Sequence, residues 1–244
     1  MATGLDEPSP GVKGIKCMGF NDVGTVKKVG IPAVTTVTEK IRGRYDRIAP
    51  MFNKMDGMMD DKLKSSLIAR AHGNVLEVGV GTGANLTFYP KNVHVTGIDF
   101  SPKMLSFARE RAQEVAARVQ LLEMDVQHLT FADNTFDTVV STCVFCSVPD
   151  PIAGLREIRR VLKPHGRLLM LEHMLSDHRP IALFLHALNP LTVRATGANV
   201  NRRTLDNLKA AGFSITKWRP VAFFDVFRQI EAIPVKTFDS SRED

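Results

Sequence analysis

The chain has 244 residues, 44% hydrophobic and 24% charged, with a formal net charge of +6. That is the composition of a soluble globular protein, long enough for one sizeable α/β domain or two small ones. The three cysteines, Cys17, Cys143 and Cys146, are too few and odd in number for a disulfide framework and point to a reducing compartment, and the scattered basic residues read as a mildly basic enzyme surface rather than a nucleic-acid-binding stripe.

Residues 1–35 are rich in Gly, Lys and small residues without a period and read as a flexible N-terminal arm. Their first ten residues carry Asp6 and Glu7 and lack the apolar core of a signal peptide. Residues 36–244 read as a single domain. From Thr38 the pattern is helical, with Ile41, Tyr45, Ile48 and Ala49 on one face, and Pro50 is expected to interrupt it. Residues 51–71 read as a second helical stretch whose clustered Met51, Met55, Met58 and Met59 are assigned to core packing. Residues 74–79 are a buried-strand run, and 93–98 a second strand ending at Asp99. Residues 102–116 form an amphipathic pattern with Ser101 as N-cap and Pro102 at the first helical position.

Residues 119–123 and 136–142 predict a third and fourth strand, 152–162 a helix, 163–166 a turn and 167–171 a fifth strand. Residues 175–200 show no clear period and are expected to cover the site. Their apolar run, 181–191, is broken by His186 and Pro190 and is too short to cross a bilayer. Residues 204–211 predict a helix closed by Gly212, followed by a hairpin from 214–219 and 221–230. Strands alternating with helices predict an α/β fold. It is doubly wound, a mostly parallel, seven-stranded Rossmann-like sheet with helices on both faces and N-terminal helices ahead of it.

The segment Val75-Leu-Glu-Val-Gly-Val-Gly-Thr-Gly-Ala-Asn85 is the most informative. Gly79, Gly81 and Gly83 let the backbone turn tightly and approach a ligand without a Cβ in the way. A helix starting after them would present free N–H groups to a phosphate or carboxylate. Gly79-x-Gly81-x-x-Ala84 also fits the dinucleotide fingerprint, with Asp99 where its ribose-binding acid stands. Asp99 therefore marks an adenosine-type ligand rather than a reaction, and a glycine turn without any ligand is the bland alternative.

Three later segments bear on the choice. Met124-Asp125-Val126 follows the third strand, residues 129–149 lead through the fourth, and residues 155–166 approach the fifth. In this order, from about Arg44 to Leu171, they resemble the class I S-adenosylmethionine-dependent methyltransferases. Within that superfamily the chain is similar to the branch holding ubiquinone/menaquinone C-methyltransferases, phospholipid N-methyltransferases and alkyl-thiol methyltransferases. Arg44-Tyr-Asp-Arg-Ile-Ala-Pro50 resembles the Tyr-Asp-x-x-Ala helix common there. Residues 146–151, 171–173 and 201–212 are most similar to the thiol-methylating group, and His165 stands where these families commonly have Gly.

The resemblance implies S-adenosylmethionine as cofactor and S-adenosylhomocysteine as product. It implies Gly79, Gly81 and Gly83 along the methionine portion, with Glu77 and Asn85 as further cofactor contacts. Asp99 would hold the ribose, Phe100 and Met104 would lie beside the adenine, and Asp125 and Val126 at its edge. Thr142 and Cys143 would lie near the sulfonium, and Tyr45 would close over the methionine end, counted with His173 as a catalytic candidate.

Methyl transfer requires chiefly that a nucleophile be held in line, an effect of about 7 to 11 kcal/mol. A thiol, with a free pKa near about 8.5, needs little help, whereas a quinol carbon needs a base. His173, just past the fifth strand, is the candidate base, with hydrogen bonding to the cover segment as its alternative; His128 reads as a surface or capping residue. Cys143 and Cys146 read as packing and site lining, and no metal site is expected. Met51, Phe52, Met55, Ile181, Leu183, Phe184, Leu188 and Leu191 suggest a small, largely apolar acceptor, a thiol first. C-methylation of a quinone precursor or N-methylation of a lipid headgroup is the alternative. A cofactor-binding scaffold without catalysis and a nicotinamide oxidoreductase stand as other classes. One Trp and two Tyr leave little for a nucleic-acid platform. A cytoplasmic location is expected, with organelle targeting by residues 1–35 and peripheral membrane association left open.

Overall fold

A computed structural model of the chain describes residues 36–55 and 60–235. The expected arm at 1–35, Cys17, Met58 and Met59 lie outside the described residues. In chain order the elements are α1 Thr36–Lys54, α2 Asp61–Ile68, β1 Asn74–Val78, a single 3-10 turn Leu86–Phe88, β2 His94–Asp99, α3 Pro102–Ala112 and β3 Arg118–Glu123. Then come β4 Phe136–Thr142, α4 Pro151–Val161, β5 Leu162–His173, α5 Arg179–Ala195, α6 Thr204–Ala210, β6 Phe213–Ala222 and β7 Phe227–Pro234.

The seven strands form one sheet in the order β3-β2-β1-β4-β5-β7-β6. β1 to β5 are mutually parallel, and β7 runs antiparallel between β5 and β6. Strand residues alternate between two cores, as a sheet covered on both faces requires. Leu76, Val78, Val139, Leu168 and Met170 pack with Leu155, Ile158 and Val161 of α4 and Leu208 of α6. Val75, Val140, Leu169 and Leu171 pack on the other side with Leu67 and Ile68 of α2 and Leu105 and Ala108 of α3. The chain leaves β1 outward through β2 and β3, then returns to β4 on β1's other side. That reversal opens a crevice at the carboxyl ends of β1 and β4, where ligands of such sheets bind.

Several expectations are corrected. Pro50 does not interrupt α1, which runs on to Lys54. Only the bond to the Asp46 carbonyl is lost near the helix end, and the Met55 N–H still reaches the carbonyls of Met51 and Phe52 at 3.0 Å. The second helical stretch begins only at Asp61, capped by Asp60, whose side chain accepts from the Lys62 N–H. No α-helix follows the glycine turn: Leu86–Phe88 makes one 3-10 turn, and Pro90 follows shortly after. Residues 163–166 belong to β5 rather than to a turn, because Leu162 already pairs with Phe136, with a register shift before Thr138. Residues 175–200 contain the 17-residue α5. The hairpin is present, but its turn is displaced: Phe223 and Phe224 have φ of 47° and 61°, which no strand accommodates. No helix among the described residues is long and apolar enough to cross a membrane.

Candidate functional site

The crevice is built from the ends of β1, β2 and β4. Gly79, Gly81 and Gly83 have φ of 63°, 57° and 83°, in the left-handed region that favours glycine. Their spatial demands differ. A Cβ on Gly79 would come within 2.5 Å of the Val144 side chain, whereas one on Gly81 would meet only the Gly79 carbonyl at 3.9 Å. Gly81 thus leaves open space over the turn. A Cβ on Gly83 would meet the Ala108 backbone at 3.0 Å, so Gly83 serves the packing of α3.

Asp99 ends β2 and is buried. One carboxylate oxygen accepts from the Gly81 N–H at 2.9 Å and the other from the Ser101 N–H at 2.8 Å. Burial pushes its pKa up to about 6, against the pull of these N–H groups. Ser101 caps α3 by accepting from the Met104 N–H at 3.1 Å, and its hydroxyl donates to Asp46 of α1 at 2.6 Å. The second strand's end, α3 and α1 are thereby fixed to one another.

Glu77 of β1 is completely buried. Asn85 donates to its Oε1 and to the Thr142 hydroxyl, both at 2.8 Å, joining β1, the glycine turn and β4. Burial pushes the Glu77 pKa up to about 7. The Tyr89 hydroxyl lies close enough to act on Glu77 electrostatically, yet it and Glu77 Oε2 each lack a hydrogen bond of proper geometry. Glu77 Oε2 is an orphaned acceptor beside the glycine turn, suited to an incoming cationic or N–H donor.

A narrow cleft of about 50 Å³ is lined by Thr38, Ile41, Gly79, Asp99, Phe100, Met124, Asp125, Val126 and Ser147, among others. Phe100 and Val126, expected beside an adenine, both line it. Met104 is buried at the start of α3 and is absent from the lining. Asp125 is engaged by Gln127, whose side-chain nitrogen donates to both carboxylate oxygens at 3.1 and 2.9 Å. Both Asp125 carboxylate oxygens are therefore already engaged within the chain. Tyr45 closes the cleft from α1: its hydroxyl is 2.5 Å from that of Ser147 and its ring meets Phe100 edge-on at 5.6 Å. The cleft is smaller than ligand pockets, which run to about 300–1,000 Å³, and Thr38 and Ile41 of α1 form part of its wall. Beside the cleft lies a cavity of about 590 Å³ lined by Lys40, Arg44, Arg202, Val193, Asn199 and Asp150, among others.

Beyond β4, Cys143 adopts φ 55° and Cys146 is buried. Burial raises both thiols, Cys146 to about 12 and Cys143 well above the ordinary value; both are protonated at neutral pH. The sequence did not single out Glu172. This buried residue accepts from the Ser141 hydroxyl at 2.8 Å and the Val144 N–H at 3.0 Å, and burial pushes its pKa up to about 7. Its only sequence signal is a carboxylate at the end of an apolar run. Ser147, Gln127 and Asp46 were missed too, because their roles depend on contacts between distant segments. His173 is half-buried, with its ring 5.7 Å from Phe227, and burial lowers its pKa so that the imidazole is neutral at neutral pH. His128 is exposed. No cluster of three or more metal-ligating side chains occurs among the described residues.

Residues 76–170 match a family model described as a methyltransferase domain. The sheet order around that match is that of a Rossmann-like methyltransferase fold. The chain is 43% identical over 118 residues to the phosphatidylethanolamine N-methyltransferase of Cereibacter sphaeroides, covering 48% of this chain and 58% of the relative. It is 34% identical over 158 residues to the thiol S-methyltransferase TMT1B of Rattus norvegicus, covering 61% and 64%. To the demethylmenaquinone methyltransferase of Lactiplantibacillus plantarum it is 35% identical over 146 residues, covering 54% and 62%. The matches thus span less than two thirds of these relatives. Among solved structures, the [4+2]-cyclase SpnF superposes with a TM-score of 0.64 at 23% identity, covering 86% of this chain and 100% of that one. That likeness concerns the fold, which carries more than one chemistry.

Proposed function

We propose that the chain transfers a methyl group from S-adenosylmethionine to a small, largely apolar acceptor, and that the acceptor atom is a thiol sulfur. The observation that carries the cofactor reading is the Asp99 carboxylate, held by the Gly81 and Ser101 N–H groups at the switch-point crevice. When bound, the cofactor supplies a methyl group already activated by a sulfonium. Asp99 retains lone pairs for the two ribose hydroxyls. Gly81 leaves room for the backbone to approach the ligand, Glu77 Oε2 offers an acceptor to the amino end, and Phe100 and Val126 hold the base between them. Tyr45, protonated because burial raises its pKa, closes the cleft through Ser147 and excludes water.

The thiol preference rests on similarity to the thiol S-methyltransferase and on the chemistry near β5. His173 is neutral and can accept a proton, and a thiol asks for little more. Titration calorimetry with S-adenosylhomocysteine, on the parent and on Asp99→Ala, tests the cofactor site: binding by the parent and loss in the variant are expected. Labelled cofactor with a panel of thiols tests the acceptor. Methylation of a lipid amine or quinol, with no thioether from any thiol, would reject the thiol. A lipid headgroup is the second reading. It is favoured by the 43% identity to the phosphatidylethanolamine enzyme and by Lys40, Arg44 and Arg202 around the neighbouring cavity, which suit an anionic phosphate.

A further inference from the structure

α5 is apolar on both faces: Ile181 and Leu188 are half-buried on its inner side with Leu185, and a second apolar row faces solvent. In a surface helix the apolar stripe faces the core, but of this helix's residues only Leu185 is buried. Pro180, Leu183, Phe184, Ala187 and Leu191 share its solvent face at helical spacing. Leu183 is 73% exposed, Phe184 64% and Leu191 65%. The β6–β7 turn adds Phe223 and Phe224, 74% and 80% exposed, on left-handed backbone that bulky residues avoid. The two surfaces adjoin: His178, the N-cap of α5, meets the Phe224 ring at 6.4 Å. The turn also lies at the site's end of the sheet. Phe227 pairs with His173, and the rings of Phe223, Phe227 and His173 follow one another at 5.7 Å each.

The charges on α5 itself have one sign. α5 carries Arg179 in its first turn and Arg194 in its last, and no acidic residue. An arginine at the N-terminus opposes the helix dipole, so its placement is unexplained by helix stability. The neighbouring acids, Asp177 and Asp225, share one partner, the buried Arg228, at 2.9 Å each, and the Asp177 side chain is 74% exposed. Apolar residues flanked by Arg179 and Arg194 on the helix itself complement an anionic lipid surface.

We propose that α5 and the β6–β7 turn form one docking face for an anionic lipid bilayer. Leu183, Phe184, Leu191, Phe223 and Phe224 enter the boundary between headgroups and acyl chains, while Arg179 and Arg194 meet lipid phosphates. An apolar acceptor dissolved in the bilayer then reaches the carboxyl ends of the strands without crossing water. The inference goes beyond methyl transfer and stands without it.

Co-sedimentation of the full chain with vesicles of phosphatidylcholine, or of phosphatidylcholine mixed with phosphatidylglycerol, tests it. Binding to the mixed vesicles is expected, weakened by salt but not abolished. The double variant Phe184→Ser/Phe224→Ser should bind about tenfold or more weakly. Arg179→Glu/Arg194→Glu should lose only the preference for anionic vesicles. S-adenosylhomocysteine titration of each variant reports separately on the fold and on the cofactor site. If the serine variant is misfolded, the charge-reversal variant decides. Absence of binding to either vesicle overturns the proposal, as does binding unchanged in folded variants. A parent dimer that the serine variant turns into a monomer, with no change in sedimentation, would assign the face to a second copy of the chain and overturn it too.

Discussion

Three carboxyl groups in and around the crevice are buried and shifted in the same direction. Asp99 stands near pKa 6, and Glu77 and Glu172 near 7. Unfolded, such groups titrate near about 4, so each binds its proton more tightly in the fold. Each contributes stability that is fully present below the unfolded value and is lost as pH rises through the folded one. His173 is depressed and acts on the acid side of about 6.5. Between about pH 6.5 and 8, Glu77 and Glu172 therefore dominate, and the melting temperature should fall with rising pH. Calorimetric scans of Glu172→Gln should show a shallower fall. Glu172→Ala instead strands the Val144 N–H and the Ser141 hydroxyl and should cost about 1–3 kcal/mol in urea unfolding. On the proposed ribose contact, the ligand selects the ionised form of Asp99. S-adenosylhomocysteine affinity should drop as pH falls below about 6, and a titration series in which it stays flat would remove Asp99 from the ribose site. Asp99 and the glycines were legible because a motif places them; Glu172 was not, because its partners lie on another strand and in the loop after it.

Helix α3 shows how one side chain can serve two elements. Ser101 satisfies the Met104 N–H and also donates to Asp46, so Ser101→Ala removes a cap and the tie to α1 together. The expected loss is about 1–2 kcal/mol in denaturant unfolding, with weaker cofactor binding because α1 is loosened. The cap was readable from the Ser–Pro pair, but the tie was not. β4 was read to the residue and β1 and β2 nearly so, since each is a short apolar run bounded by turn residues. α5 escaped for a physical reason. Reading periodicity assumes a single apolar face, and here apolar residues stand on both, with Pro190 further blurring the pattern. The left-handed phenylalanines displaced the hairpin turn in the same way, since phenylalanine ordinarily signals strand.

For the molecule as a whole, the doubly wound architecture followed from alternation of strand and helix, and the crevice from the glycine turn at the strand reversal. The narrowness of the cleft did not follow, because it depends on α1 forming part of its wall. Tyr45→Phe removes the Ser147 contact while keeping the ring against Phe100, so S-adenosylhomocysteine should associate faster in stopped-flow mixing. An unchanged rate would place the limiting motion elsewhere. The order of the strands also bears on biosynthesis. β7 is the last described strand in the chain, yet it lies between β5 and β6 and is the neighbour through which β6 joins the sheet. On the ribosome, β5 therefore waits with a bare edge, and β6 with no partner, until Phe227–Pro234 has left the exit tunnel. Bare edges recruit other chains. A chain that has emerged past residue 222 but not past 227 leaves both edges open to other chains.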